Sequence, residues 1–231
     1  MENKYHPIVT KNNCKIDYFC IFGERCSGTN FLEQALLENF NIQIHQHQVN
    51  KHFFGQKELP KEDNILYIGI VRHPYTWLNS FYKYPYFVNK NIRNNKDKFL
   101  NEEFWSQDGN NEITQDRNIF TKERYKNIFE LRKVKLEFLH DKLPLLVKNY
   151  ILVKYEDLRD DYENTLNFIK QQFNLSTKNS YPKKITSYYG RGKLVRDKFK
   201  IDTDYIYTKK EILLHSKFDK TYEQKFHYYL L

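Results

Sequence analysis

Apolar positions along this chain fall into a few compact runs separated by long polar stretches, and the spacing inside each run predicts its element. Tyr18 to Phe22 is a short run of apolar, aromatic and Cys residues that suits a buried strand. After the loop Gly23-Glu24-Arg25-Cys26-Ser27-Gly28-Thr29, the positions Phe31, Leu32, Ala35, Leu36 and Phe40 follow helical spacing. The alternation IQIHQHQ from Ile42 to Gln48 predicts a second strand, with Ile42 and Ile44 on one face and His45 and His47 on the other. Ile65 to Val71, ILYIGIV, is almost unbroken in its apolar character, as expected of a central strand covered on both faces. Pro74 is placed to open a helix carrying Trp77, Leu78, Phe81 and Tyr82. Thr121 is placed to cap a helix running to about Leu139, and Asn149 to Lys154 reads as a further strand. Asp160 or Asp161 then caps a helix with the stripe Tyr162, Leu166, Ile169 and Phe173, and two short helical patterns close the chain.

Strands alternating with helices predict an α/β fold, with a central, mostly parallel sheet flanked by helices. The 231 residues suit one domain spanning 1–231, with 1–16 as a polar leader. The Asn-, Lys- and aromatic-rich segment 83–120 has no clean periodicity and is expected to be a lid or acceptor-binding loop. A net charge of +9 and a pI near 9.2 favour anionic partners. Cys14, Cys20 and Cys26 are odd in number and lack CxxC spacing, which argues against a zinc knuckle and a disulfide framework and for a reducing compartment. No stretch suits a signal peptide or a membrane span, so the expectation is a soluble, cytoplasmic protein of undetermined oligomeric state.

The chemistry concentrates on the Gly23 to Thr29 loop. A Gly-bounded turn between strand and helix directs backbone N–H groups and the positive helix end at one point, where a phosphate or sulfate would sit. Measured against the Walker pattern GxxxxGK[ST], Gly23 and Gly28 keep their separation, but Thr29 replaces the lysine and Asn30 the magnesium-binding hydroxyl. The loop therefore points away from a metal-bound nucleoside triphosphate and predicts chemistry without a divalent metal. An ordinary tight turn explains the same glycines equally well. Arg72, at the carboxyl end of the Ile65 to Val71 strand, is positioned to face the same crevice.

Four stretches, in this order, together resemble the sulfotransferases that use 3′-phosphoadenosine 5′-phosphosulfate, PAPS. GERCSGTNF is similar to their 5′-phosphosulfate loop, and IVRHPYTWLNSFY to their 3′-phosphate motif through Arg72, Pro74 and Ser80. Lys51-His52 resembles a Lys/His element of many members, and VKYEDL a strand-end motif. The resemblance spans Asp17 to about Phe173. It departs from the pattern where many members place Lys directly before the SG pair: here Cys26 stands there and the cation, Arg25, comes one residue earlier.

The resemblance implies sulfuryl transfer from PAPS to a hydroxyl or amine, leaving adenosine 3′,5′-diphosphate. It implies that Gly23, Arg25, Cys26, Ser27, Gly28, Thr29 and Asn30 hold the phosphosulfate, and that Arg72 and Ser80 hold the 3′-phosphate, with Arg191, Gly192 and Lys193 a looser match to a further 3′-phosphate segment. Arg25 and Lys51 would neutralise the departing phosphate and His52 would be the general base, with Glu102 or Glu103 of the 83–120 segment as the competing base. Glu156 and Asp157 would orient cations or serve as caps. Cys26, near a helix start, could have a lowered pKa, or be a spare small residue. Sugar, glycolipid, peptide tyrosine and small alcohol are all open as acceptors, with a carbohydrate the candidate singled out. The competing readings are a kinase-like phosphotransferase, a basic nucleic-acid-binding module that stacks bases on its aromatics, and a nucleotide-binding domain without activity.

Overall fold

A computed structural model of the chain describes residues 7–46, 50–185, 187–190, 193–196 and 204–228, the two short spans between 187 and 196 as backbone only. The strands are β1 (Val9–Thr10), β2 (Tyr18–Phe22), β3 (Gln43–Ile44), β4 (Ile65–Val71), β5 (Gln107–Asp108), β6 (Asn111–Glu112), β7 (Tyr150–Lys154), β8 (Ser187–Gly190) and β9 (Lys193–Arg196). The helices are α1 (Thr29–Asn39), α2 (Pro74–Lys83), α3 (Lys96–Asn101), α4 (Ile128–Glu137), α5 (Leu143–Leu146), α6 (Tyr155–Asp160), α7 (Tyr162–Phe173), α8 (Lys209–Leu213) and α9 (Thr221–Lys225).

Five strands form one sheet in the order β1-β7-β4-β2-β3, parallel except for β1. Strict alternation divides the side chains between two cores. Phe19, Ile21, Leu66, Ile68, Ile70, Ile151 and Val153 pack with Leu32 and Leu36 of α1 and Leu166 and Ile169 of α7. Cys20, Phe22, Tyr67, Val71, Tyr150 and Leu152 face the other way, onto Trp77 and Phe81 of α2 and Leu131 of α4. Both faces being covered is why β4 reads as a continuous apolar run: all seven of its residues are buried.

The chain leaves β2 through α1 to β3 on one side and then crosses back to β4 on the other. That reversal makes the carboxyl ends of β2 and β4 a topological switch point, where open α/β sheets form their ligand crevice. The Gly23 to Thr29 loop leaves one of these ends and Arg72 the other.

Three expectations need correction. The 1–16 leader is not simply polar surface, because Val9 and Thr10 add an antiparallel edge strand against Ile151 and Tyr150, and Ile16 is buried. The Ile42 to Gln48 strand shrinks to Gln43–Ile44, with His45 buried against Glu62 at 3.2 Å, and His47 lies outside the described residues. Helix α4 starts at Ile128 and not near Thr121: the Asn127 side chain caps it by accepting from Phe129 N and Glu130 N, both at 3.0 Å. Segment 83–120 is more ordered than its lack of periodicity suggests, and forms a packed cap. It holds α3 and the β5–β6 hairpin, and its residues Val88, Ile92, Phe99, Phe104 and Ile119 belong to the core. Asn and aromatic residues built this cap through turns and isolated bridges, which carry no periodic signature. Among the described residues, no helix is long and apolar enough to cross a membrane.

Candidate active site

The loop after β2 is tight because its backbone leaves no room for side chains at two positions. A Cβ on Gly23 would lie 2.7 Å from the Ile70 carbonyl oxygen. Gly28 has φ 95°, and a Cβ there would run into the Tyr155 ring. Cys26 also adopts a left-handed conformation, at φ 64°. No side chain caps α1, and the N–H groups of Cys26, Gly28, Thr29 and Asn30 find no acceptor among the described residues. Four unpaired amides thus gather at the positive end of an eleven-residue helix.

Three segments distant in sequence meet on this loop. His52 shares a hydrogen bond with the Gly23 carbonyl through Nδ1 at 2.8 Å. A carbonyl can only accept, so Nδ1 carries the proton and Nε2 keeps its lone pair. Desolvation lowers the His52 pKa to about 4, with the Gly23 carbonyl opposing it and Lys51 contributing only weakly, so the ring is neutral at pH 7. Lys51 donates from Nζ to Asn30 Oδ1 at 2.5 Å and Glu33 Oε2 at 3.0 Å, which holds its ammonium over the first turn of α1. Arg72 donates to the Cys26 carbonyl at 3.0 Å and to Thr76 Oγ1 at 3.1 Å, and its guanidinium lies 4.8 Å from the centre of the Tyr155 ring. No carboxylate forms an ion pair with Arg72 among the described residues. Ser80 stands on α2, four residues and about one turn after Thr76, and is half-buried.

Arg25 does not join them, and its expected role needs correction. Its side chain is 2% exposed and turns inward, to Glu24 Oε1 at 2.7 Å, Asp116 Oδ2 at 2.8 Å, Ser106 Oγ at 2.7 Å and the Tyr86 carbonyl at 2.9 Å. Lys135 of α4 completes the cluster by reaching Glu24, Asp116 Oδ1 at 2.5 Å and the His52 carbonyl at 2.7 Å. Two cations face two carboxylates, all buried. Burial alone would raise the Glu24 pKa, but the Arg25 and Lys135 charges win and hold it at about 2. This network ties the loop, α4, the His52 backbone and the 83–120 cap into one unit.

The remaining expected residues divide. Ser27 and Thr29 are buried within the loop. Cys26 is not activated: burial raises its thiol to about 11, and Sγ sits 3.6 Å from the Ser80 carbonyl. Glu156 accepts from His73 N and Tyr228 Oη, both at 3.0 Å, so it braces the turn after β4. Burial raises the Asp157 pKa. Glu102 and Glu103 pair with Lys98 at 3.6 Å and Arg124 at 3.0 Å. Arg191 and Gly192 lie outside the described residues, and Lys193 opens β9. No three His, Cys, Asp or Glu side chains cluster as metal ligands would among the described residues.

Sequence reasoning missed Asp116, Ser106 and Lys135, whose partners lie too far along the chain to leave a local pattern. Tyr155 had a signal, since it sits in VKYEDL, yet its role as the platform under both Gly28 and Arg72 shows only in three dimensions. Neither a scan of protein-family models nor a search of curated proteins matches the chain to a relative.

Proposed function

We propose that this protein is a PAPS-dependent sulfotransferase. The observation that carries the reading is the convergence of Arg72, Lys51 and His52 on one uncapped loop, through Cys26, Asn30 and Gly23 respectively. In this reading the 5′-phosphosulfate rests on the four unpaired amides and the α1 terminus, and Arg72 with the Ser80 hydroxyl takes the 3′-phosphate. Lys51 neutralises charge on the departing phosphate. The acceptor oxygen bonds to sulfur as the bond from sulfur to the 5′-phosphate oxygen breaks. That electron pair stays on adenosine 3′,5′-diphosphate, while the acceptor's proton goes to His52 Nε2. Protein groups do all of this without a metal.

The kinase-like reading is weaker because the positions of its lysine and hydroxyl hold Thr29 and Asn30, and Asn30 Oδ1 is taken by Lys51. The base-stacking reading is weaker because the large aromatics Phe19, Phe22, Phe81, Phe99 and Trp77 are core residues. Calorimetry tests the donor assignment. Adenosine 3′,5′-diphosphate should bind at least tenfold more tightly than AMP, and Arg72→Ala should remove about 1.5 to 3 kcal/mol, the range for a charged hydrogen bond. Equal affinity for the two nucleotides refutes the reading. Transfer of label from radioactive PAPS to an acceptor panel then tests turnover.

A further inference from the structure

A cleft of about 300 Å³ opens between the 50–57 segment and the cap. Phe53 and Ile113 form its apolar wall, with Phe87 set edge-on to Phe53 at 5.8 Å between ring centres. Phe87 is 43% exposed and holds a left-handed φ of 57°, a strained conformation for an aromatic residue. Its scaffold keeps it there: the Phe87 carbonyl accepts from Gln107 N at 2.7 Å, and the preceding Tyr86 carbonyl from Arg25 at 2.9 Å. The rim carries Asp108, a pure acceptor, Lys57, a pure donor, and the amides of Asn50 and Gln115. Asp108, Lys57 and Gln115 make no side-chain hydrogen bond or ion pair among the described residues.

An outward-held aromatic ring beside unpaired groups of every hydrogen-bonding kind matches one ligand chemistry. A pyranose has an apolar C–H face to lay on the ring and a girdle of hydroxyls that both donate and accept. A phenol or sterol brings one hydroxyl and would leave most of the rim desolvated and unpaired. A polyanion meets the Asp108 charge. We propose that this cleft binds a saccharide, with a sugar ring on Phe87 and its hydroxyls on Asp108, Gln115 and Asn50. Asn50, whose Oδ1 accepts the His52 backbone N–H at 3.0 Å, and Phe53, which follows His52 directly, both line the cleft, so the cleft adjoins the His52 segment of the chain. On the sulfotransferase reading, a hydroxyl of the bound sugar is the one sulfated.

Saturation-transfer NMR on the full chain tests this with methyl glucoside, galactoside and mannoside, lactose and diacetylchitobiose as probes. A tyrosine peptide and p-nitrophenol are the comparison ligands, and adenosine 3′,5′-diphosphate is titrated in parallel by calorimetry. At least one saccharide should show transfer centred on its ring C–H protons. Phe87→Ala and Asp108→Asn, both at exposed positions, should each weaken it fivefold or more while leaving the nucleotide Kd within twofold. No transfer to any saccharide, saccharide binding indifferent to both substitutions, or capture of the peptide or the phenol instead overturns the proposal. Saccharide binding that persists in a protein unable to bind the nucleotide would sink the sulfotransferase reading and leave the cleft assignment standing.

Discussion

Lys135→Met is the sharpest perturbation of this molecule, because it removes one cation from a buried, neutral set of four charges and changes little in side-chain volume. The ammonium lies 2.5 Å from Asp116 Oδ1, contacts Glu24 and donates to the His52 carbonyl at 2.7 Å. At an effective dielectric of about 20, each carboxylate attraction at roughly 3 Å is worth about 5 kcal/mol, set against a desolvation cost of several kcal/mol per ion. Loss of the lysine leaves two buried carboxylates sharing Arg25 and a carbonyl without its donor. The expected cost is about 3 to 5 kcal/mol, a large fraction of a domain's whole stability. Urea unfolding followed by circular dichroism reads this directly: with a slope of about 3 kcal/mol/M, the midpoint should fall by about 1 to 1.7 M. Adding Asp116→Asn restores charge balance, so the double variant should be at least about 1 kcal/mol more stable than the sum of the single effects. A midpoint shift below about 0.3 M for Lys135→Met, or strict additivity in the pair, would refute the claim that these charges act as one unit.

Four further outcomes follow from the loop and the three thiols. His52→Ala should lower kcat by about 10² to 10⁴ with nucleotide affinity nearly unchanged, as loss of a general base does. On the sulfotransferase reading His52 works only when neutral, and burial lowers its pKa to about 4, so kcat/KM of the native protein should be flat near pH 7 and fall only as pH drops through about 4; an acid limb near 6.5 would contradict the desolvated geometry. Iodoacetamide at pH 8, read by mass spectrometry, should label exposed Cys14 long before Cys20 or Cys26, whose thiols burial raises to about 12 and about 11. Gly28→Ala should cost about 2 kcal/mol or more in thermal unfolding, since it adds the left-handed penalty of about 1 to 2 kcal/mol to a collision with Tyr155, and should weaken nucleotide binding by disturbing the ring beneath Arg72.

The sheet was legible because its information is local. ILYIGIV can satisfy its apolar residues only between two layers, and the strand, Gly-bounded loop and helix at Tyr18 to Asn39 carry their own boundaries. The cap was not legible, since its order comes from contacts such as Arg25 to Ser106 and Asp116, 81 and 91 residues apart. Arg25 shows the same limit within the site. Its position in the loop suggested a ligand-facing cation, but the direction of a side chain is set by what surrounds it. Three aromatic rings, Phe53, Phe81 and Phe104, lie within 6 Å of its guanidinium, and two carboxylates complete the enclosure.

That inward turn has a consequence for how the loop could hold an anion. With Arg25 compensated by Glu24 and Asp116, the charge facing the open side comes from Arg72, Lys51 and the uncapped amides of α1. Lys51 is not idle there, because Glu33 and Asn30 already hold its ammonium. An anion arriving at the amides would compete for this lysine, and it gains most when it carries more charge than Glu33 does. A group whose charge grows during the reaction, such as a departing phosphate, meets that condition better at the transition state than in the ground state, and binding that strengthens along the reaction coordinate is the kind that accelerates chemistry. On the sulfotransferase reading, the Lys51 to Glu33 pair would set a threshold, screening the cation from weak anions and yielding it as the leaving group's charge develops.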